Sequence, residues 1–232
     1  MKYFIIACEI FEREVSILKE TSPFDFEISF LPQNLHNEPK NLNTELQNAI
    51  NLIEGEYEGI ILLYGLCSEA LINISSSRYK LIVPRVHDCI SIFLGSKDRY
   101  NKLSTGKIYW YTSSWIDKTL MPGKEHHENL KKSLIDAYGD DNGQYLFDME
   151  CECYKRYEKG VFINNPIINQ KKDIEFTKNC CKYLNWKYEE CEGSLGMILN
   201  LINGKWNSED YLIVPIGHKI IPTYDERVID YD

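Results

Sequence analysis

Thiol and imidazole side chains follow several strands that the sequence predicts in its first ninety residues. Cys8 ends the first predicted strand, Cys67 follows the third and Cys89 follows the fourth. His36 lies in the loop after the second strand, and His87 precedes Cys89 by two residues. Because the carboxyl ends of parallel strands meet at one edge of a sheet, we expect these side chains to converge.

Three thiols and one or two imidazoles form a donor set that suits zinc. Zinc takes four Cys and His ligands in structural sites and keeps one position open in catalytic sites. Cobalt, nickel or an iron–sulfur cluster is compatible with the same donors. The sequence therefore predicts a metal site in which Cys8, Cys67 and Cys89 are ligands and His36 or His87 is the fourth.

Four further residues stand next to these ligands along the chain. Glu9 and Arg85 are the candidate catalytic residues, because a carboxylate and a guanidinium beside the site orient ligands or bind substrate. Gly65 and Asp88 lie in the turns that carry Cys67 and Cys89, and they are the candidate cofactor-binding residues. A bound metal at this place would act as a Lewis acid on a thiol, a methyl group or a water molecule.

A second interpretation uses the same thiols without a metal. Cys67 and Cys89 each begin a predicted helix, and a helix N-terminus lowers the pKa of a thiol. The pair would then act as acid and base on either side of a small carboxylate, as in cofactor-independent isomerases and racemases. Arg85 and His87 would bind or polarise that carboxylate. Free cysteines also pack often in apolar cores, so a purely structural role is a third possibility.

The other five cysteines are less suited to ligation. Cys151 and Cys153, and Cys180 and Cys181, lie on predicted helices at spacings that point their side chains apart. Together with Cys191 they are expected to be structural. His126 and His127 fall in a charged run that reads as a solvated helix face, and His218 follows the last predicted strand.

The elements that position these residues follow from the hydrophobic pattern. Apolar runs predict strands, and apolar residues spaced by three and four predict helices. Strands alternating with helices indicate the α/β class, with a mostly parallel sheet flanked by helices. In the first half the predicted strands are 2–8, 24–31, 59–64, 80–84 and 107–112, and the predicted helices are 9–20 and 42–53.

The second half has a less regular pattern. It predicts strands at 160–164 and 211–215, and helices at 125–138, 143–157, 171–184 and 192–202. Two α/β lobes are therefore expected, of which residues 1–120 carry the Cys/His site and residues 121–232 form a smaller lobe.

Composition excludes several classes of function. The 232 residues include 26 Lys and Arg against 35 Asp and Glu, and the formal net charge of −9 argues against binding to nucleic acid. No apolar run is long enough for a membrane span, and the six-residue run at the start is too short for a signal peptide. Eight cysteines without a secretion signal indicate thiols in a reducing cytoplasm. The oligomeric state is not predicted.

Several segments resemble a family known as domain of unknown function number 1638. The most specific is the run from Pro84 to Ser96, which contains His87-Asp88-Cys89. The other matching segments are Ala7-Cys8-Glu9 with Arg13-Glu14, Leu35-His36-Asn37, Tyr64-Gly65-Leu66-Cys67, Tyr111-Thr112 with Trp115-Ile116, Asn203-Gly204-Lys205-Trp206 and Leu212-Ile213-Val214-Pro215. The last strand is followed by Pro215-Ile216-Gly217, where the family usually has Pro-Gly.

The resemblance implies a setting rather than an activity. Similar proteins occur in anaerobic bacteria and methanogenic archaea, often beside corrinoid-dependent methyltransferases. This implies a metal- or corrinoid-linked role in methyl transfer or one-carbon metabolism, either as an enzyme or as an accessory protein. The partner would be a small-molecule substrate or a corrinoid protein, with no nucleic acid and no membrane involved.

Overall fold

The chain has a mixed α/β fold, which confirms the class that the sequence predicts. The computed structural model describes all 232 residues. In chain order the strands and α-helices are β1 (Lys2–Cys8), α1 (Glu12–Leu18), β2 (Asp25–Leu31), α2 (Pro39–Asn51), β3 (Ile60–Leu63), β4 (Leu81–Pro84), α3 (Cys89–Leu94), α4 (Lys97–Leu103), β5 (Ile108–Tyr111), α5 (Ser113–Lys118), α6 (Lys124–Tyr138), α7 (Asp140–Glu152), β6 (Lys159–Asn164), α8 (Lys171–Leu184), β7 (Lys187–Glu192), α9 (Gly196–Ile202), β8 (Tyr211–Val214), β9 (Ile220–Pro222) and β10 (Ile229–Tyr231).

The chain divides into two compact units. The first unit comprises Met1–Asn101 and Gly193–Asp232, and the second comprises Lys102–Glu192. This division differs from a single boundary at residue 120, because the last 40 residues return to the first unit. There β8 pairs antiparallel with β4, and Leu81 lies opposite Val214. The two strands have the same Leu-Ile-Val-Pro motif, but a local pattern does not reveal that they pair.

The first sheet has the strand order β2-β1-β3-β4-β8, and its first four strands are parallel. The chain passes from β1 to β2 on one side and then crosses to β3 on the other side of β1. The strand order therefore reverses between β1 and β3, and ligands of open α/β sheets bind at the carboxyl edge beside such a point. Cys8 is the last residue of β1 at this edge.

Apolar burial holds this sheet in place. The β3 and β4 strands are buried along their whole length, as expected for parallel strands covered on both faces. On α2, Leu42, Leu46 and Ile50 lie one turn apart and are all buried, so one face of the helix packs inward. Burial of each such side chain contributes about 2 kcal/mol.

The second unit contains a three-stranded parallel sheet of order β5-β6-β7. Its buried cluster is Tyr111, Met121, Phe162, Cys180, Cys181 and Trp186. The β7 strand was not predicted, because Lys187–Glu192 is rich in charge and pairs only with β6. The helix predicted for 192–202 is therefore wrong in its first residues, and α9 begins at Gly196.

The remaining strands form a small hairpin at the end of the chain. The β9 and β10 strands pair antiparallel, with Ile229 opposite Pro222. No helix of the structure has the length and the apolar composition needed to cross a membrane.

Candidate metal centre

Four elements of the first unit end at the carboxyl edge of its parallel sheet and bring thiols and an imidazole there. Cys8 ends β1, and His36 lies in a 3-10 helix, Gln33–Asn37, that directly follows β2. Cys67 lies in the loop after β3, and Cys89 is the first residue of α3 after β4. The parallel topology is thus what gathers residues that are distant in sequence.

His36, Cys67 and Cys89 form a compact set of donor atoms. One ring nitrogen and the two sulfurs all lie within 4.8 Å of one another. The two sulfurs are 3.7 Å apart. Two thiolates on one tetrahedral zinc, each at about 2.3 Å, have sulfurs about 3.8 Å apart, so the pair is already spaced for a shared ion.

Hydrogen bonds fix the orientation of the His36 ring. Its Nδ1 lies 3.0 Å from the carbonyl oxygen of Gln33, and because a carbonyl only accepts, Nδ1 carries the proton. The Nε2 atom is buried and makes no hydrogen bond of ordinary geometry, and the Cys89 thiol is the charged neighbour of the ring. Glu9 supports this arrangement, since its carboxylate accepts from the backbone N–H of Gln33 at 2.6 Å. A second hydrogen bond that fixes the tautomer is the usual support of a metal-binding histidine.

The loops that carry the two cysteines are bonded directly to each other. The N–H of Leu66 donates to Val86 and that of Cys67 donates to His87, each at 2.9 Å. Gly65 permits this approach, because a Cβ at this position would lie 2.7 Å from the Cα of Asp88. The structure thus gives Gly65 a packing role between the two loops, and its predicted cofactor-binding role stays a prediction.

Cys67 stands in a strained left-handed turn and not at a helix start, so the helix predicted there is wrong. Cys67, Ser68 and Glu69 have φ values of 46°, 56° and 73°. The left-handed conformation costs about 1–2 kcal/mol for each non-glycine residue. Such strain persists only where the surroundings enforce it, and it concentrates at functional sites.

The two sulfurs of the set differ in acidity. The hydrogen bond from Cys67 lowers the pKa of Cys89 against the effect of burial, and His36 and the N–H of Gly65 act in the same direction. The same hydrogen bond, together with burial, raises the pKa of Cys67. Burial lowers the pKa of His36, but the neighbouring Cys89 raises it, and the net shift is upward. Cys89 is therefore the preferred thiolate of the pair.

Cys8 lies near this set without joining it. It is fully buried, and burial followed by the charge of Cys89 raises the pKa of its thiol. The three donors within 4.8 Å of one another do not include its sulfur. The structure thus leaves Cys8 outside the set of three donors, and its predicted role as a ligand stays a prediction.

Arg85, a predicted catalytic residue, lies against the C-terminal hairpin. The guanidinium of Arg85 donates to the carbonyl oxygens of Arg227 and Ile229, and it lies 3.9 Å from the carboxylate of Asp230. Arg85 therefore anchors the C-terminal hairpin, which differs from the predicted catalytic role.

Asp88 and His87 also lie outside the donor set. The Asp88 carboxylate accepts from the N–H of Ser91 at 3.2 Å and so forms the N-cap of α3. His87 has an exposed side chain, and its backbone carbonyl is what bonds the Cys67 loop. Of the two imidazoles that the sequence offered, the structure brings His36 to the thiols.

The remaining thiols and imidazoles form no comparable set. Cys180 and Cys181 lie in the apolar cluster of the second unit. His127 is buried among aromatic rings, so its predicted solvent exposure is wrong, and its Nε2 is 4.0 Å from the sulfur of Cys151. His218 binds the terminal Asp232 through Nδ1.

Sequence reasoning missed one residue of this site. Tyr64 directly follows β3, is fully buried, and stacks on His36 with ring centroids 6.1 Å apart. Its hydroxyl has no hydrogen-bond partner. The signal in the sequence was the position of a hydroxyl-bearing side chain at the end of a buried parallel strand.

The residues present fit a zinc ion. The donor set contains two sulfurs at tetrahedral spacing and one imidazole nitrogen that is buried, unpartnered and held in the correct tautomer. Three protein ligands leave the fourth tetrahedral position for another ligand.

Residues 30–202 match the family model described as "Protein of unknown function (DUF1638)". The match covers more than half of the chain, so the chain belongs to this family. His36, Cys67, Cys89 and Tyr64 fall within the matched residues, whereas Cys8 and Glu9 precede them. Searches of curated proteins and of solved structures found no significant match.

Proposed function

We propose that the protein binds a zinc ion through His36, Cys67 and Cys89 and offers the fourth position to an external ligand. The observation that supports this most is the meeting of three donors within 4.8 Å, one of them a buried imidazole nitrogen with no partner. A metal would satisfy that nitrogen and replace the proton shared by the two thiols. Bound there, it would supply Lewis-acid chemistry.

The surroundings of the set favour a small polar ligand. A cavity of about 690 Å³ is lined by residues close to His36 and Cys67 in sequence, among them Glu38, Ser68 and Glu69, but by none of the three donors. Seven of its nine lining residues are polar or charged. A small molecule that approaches along the two ligand loops would enter a polar environment.

Metal quantification tests this proposal. Protein purified without oxygen is expected to hold about one zinc per chain, and Cys89→Ser is expected to lose it. Cys180→Ser is the matched control, because Cys180 is also a buried thiol and belongs to the apolar cluster of the second unit. Equal metal content in the wild type and in Cys89→Ser would overturn the zinc site. Absorption bands in the visible range of the purified protein would favour an iron–sulfur cluster or a corrinoid over zinc.

We further propose that this centre serves corrinoid-dependent methyl transfer or one-carbon metabolism, as an enzyme or as an accessory protein. The support for this step is the family resemblance in sequence, and the donor set adds only that thiolate-bound zinc suits thiol and methyl chemistry. Equilibrium dialysis against hydroxocobalamin separates the two roles. Stoichiometric binding is expected of an accessory protein that carries a corrinoid, and its absence would leave the enzyme role.

The metal-free thiol enzyme is the weaker alternative. An isomerase of this kind needs a substrate carbon between two thiols, but the sulfurs of Cys67 and Cys89 are 3.7 Å apart and in contact. Arg85, the predicted carboxylate binder, is engaged by the C-terminal hairpin. Turnover of a small carboxylate by protein stripped of metal would restore this alternative.

A further inference from the structure

We propose that Tyr64 is a ligand-binding residue that donates a hydrogen bond to a small anion at the fourth position of the metal centre. This inference rests on the proposed zinc site and names the class of ligand that the site takes. It is carried by a buried phenol that has no partner within the protein and lies against one of the three donors.

The fold places Tyr64 at the centre of the carboxyl edge. In the register of β1 and β3, Ala7 lies opposite Leu63, and Cys8 and Tyr64 are the residues that follow them. This is the point at which the strand order of the sheet reverses. The Tyr64 ring stacks on His36 with an angle of 19° between the ring planes.

Burial of the Tyr64 hydroxyl without a hydrogen bond lowers the stability of the fold. The side chain is fully buried, and the hydroxyl finds no hydrogen-bond partner. Buried hydroxyls are nearly always satisfied, and a phenylalanine would fill the same space without the cost. An external acceptor would satisfy the group, since a phenol donates well to an anionic atom.

An unpartnered hydroxyl alone does not indicate a ligand, because Tyr111 in the second unit has one too. Tyr111 also has two thiols as neighbours, but Cys180 and Cys181 are consecutive residues of one helix in an apolar cluster, with no imidazole among its members. Tyr64 instead contacts a candidate metal ligand and has three thiols and the Glu9 carboxylate as electrostatic neighbours. Among these groups a metal ion provides the positive charge that an anion requires, and Tyr64 provides the hydrogen bond.

Azide binding to the cobalt-substituted protein tests the inference. Cobalt(II) replaces zinc and reports its ligands through its visible spectrum, and azide is a small anion that both a metal and a phenol bind. We expect azide to change the cobalt spectrum of the wild type. In Tyr64→Phe we expect equal cobalt affinity and at least about tenfold weaker azide binding, which is the loss of one hydrogen bond to a charged group. Tyr111→Phe, the matched control, is expected to bind azide as the wild type does.

Further variants and measurements make the result decisive. Tyr64→His keeps an N–H donor on a ring that can stack, and it is expected to recover part of the azide affinity. Circular dichroism of each variant shows whether the fold is retained. Azide affinity is the discriminating readout, because a merely structural tyrosine would change the cobalt affinity or the fold instead.

Four outcomes would overturn the inference. Azide affinity unchanged in Tyr64→Phe would show that the hydroxyl does not bind the anion. Loss of cobalt affinity in Tyr64→Phe would show that the hydroxyl supports the metal donors rather than an anion. A wild-type protein that takes up cobalt but no azide would refute the anion site and leave the metal site intact. Failure of the wild type to take up cobalt is seen before azide is added, and it would refute the metal site together with this inference.

Discussion

The two units of the chain each contain several cysteines, and the surroundings of these thiols differ. In the first unit, Cys67 and Cys89 lie on separate loops and face each other and His36. In the second unit, Cys180 and Cys181 are consecutive residues of α8 within an apolar cluster. Consecutive helical residues point about 100° apart, so they cannot direct both sulfurs at one ion.

The acidity of the thiols follows this difference. Burial raises the pKa of Cys180 to about 12 and that of Cys181 to about 11, and the backbone hydrogen bonds of Cys181 offset only part of the lost hydration. Cys89 is also buried, but its hydrogen bond from Cys67 lowers its pKa. The comparison teaches that burial alone raises the pKa of a thiol, and that polar partners can lower it, as they do for Cys89.

The largest effect expected from this difference is selective protection by zinc. In protein stripped of metal, Cys67 is partly exposed and Cys153 is exposed. One equivalent of zinc is expected to slow alkylation of Cys67 at least about tenfold, because a coordinated thiolate is no longer a free nucleophile. Alkylation of Cys153 serves as the internal control and is expected to stay constant. Peptide mass spectrometry after timed exposure to iodoacetamide measures both rates, and an unchanged rate at Cys67 would contradict the comparison.

The close packing of the two ligand loops gives the next largest effect. Gly65→Ala would place a Cβ 2.7 Å from the Cα of Asp88, and backbone atoms cannot yield as a flexible side chain can. We expect the free energy of unfolding to fall by about 3 kcal/mol. The matched change is Gly196→Ala at the start of α9, where the nearest atom is the Ser194 hydroxyl at 3.3 Å. Urea denaturation compares the two variants. A similar decrease in the free energy of unfolding for both would show that the contact of Gly65 with Asp88 is no tighter than that of Gly196.

A smaller effect is expected from the left-handed turn. Glu69 has a φ of 73° and an exposed side chain. Glu69→Gly is expected to raise the free energy of unfolding by about 0.5–1 kcal/mol, because relief of the left-handed strain exceeds the entropy that glycine loses on folding. Glu45→Gly, in the exposed face of α2, is expected to lower it by about 1 kcal/mol. A decrease in the free energy of unfolding for both variants would mean that the turn stores no strain.

The sequence predicts the sheet edge at which these residues lie, but not which of them come into contact. His36, Cys67 and Cys89 each follow a strand that is clear from its apolar run, and the rule for parallel sheets brings such residues to one edge. That argument uses only the order of elements. It therefore also admitted Cys8 and His87, because the order of elements does not tell which residues at the edge come within bonding distance of one another.

The missed features depend on contacts between distant segments. The guanidinium of Arg85 is taken up by β10, a three-residue strand too short to show a pattern. The pairing of β8 with β4 joins segments 130 positions apart, and the left-handed turn at Cys67 occurs without a glycine. Local propensity contains no information on any of these, since tertiary packing decides them.

The smallest expected effect compares the half-buried His36 of the first unit with the buried His127 of the second. Burial, and then the charge of His126, lower the pKa of His127 below its ordinary value of 6.5. Aromatic rings and the Cys151 thiol surround His127, so no anion compensates as Cys89 does for His36. The unfolded chain therefore binds this proton at a higher pH than the folded chain. It follows that His127 weakens the fold as the pH falls below 6.5.

NMR titration of the His127 ring is expected to give a midpoint below 6.5, and His127→Phe is expected to retain more of its stability in mild acid. A midpoint at or above 6.5 would mean that a negative partner faces His127, and the contrast between the two histidines would then be lost.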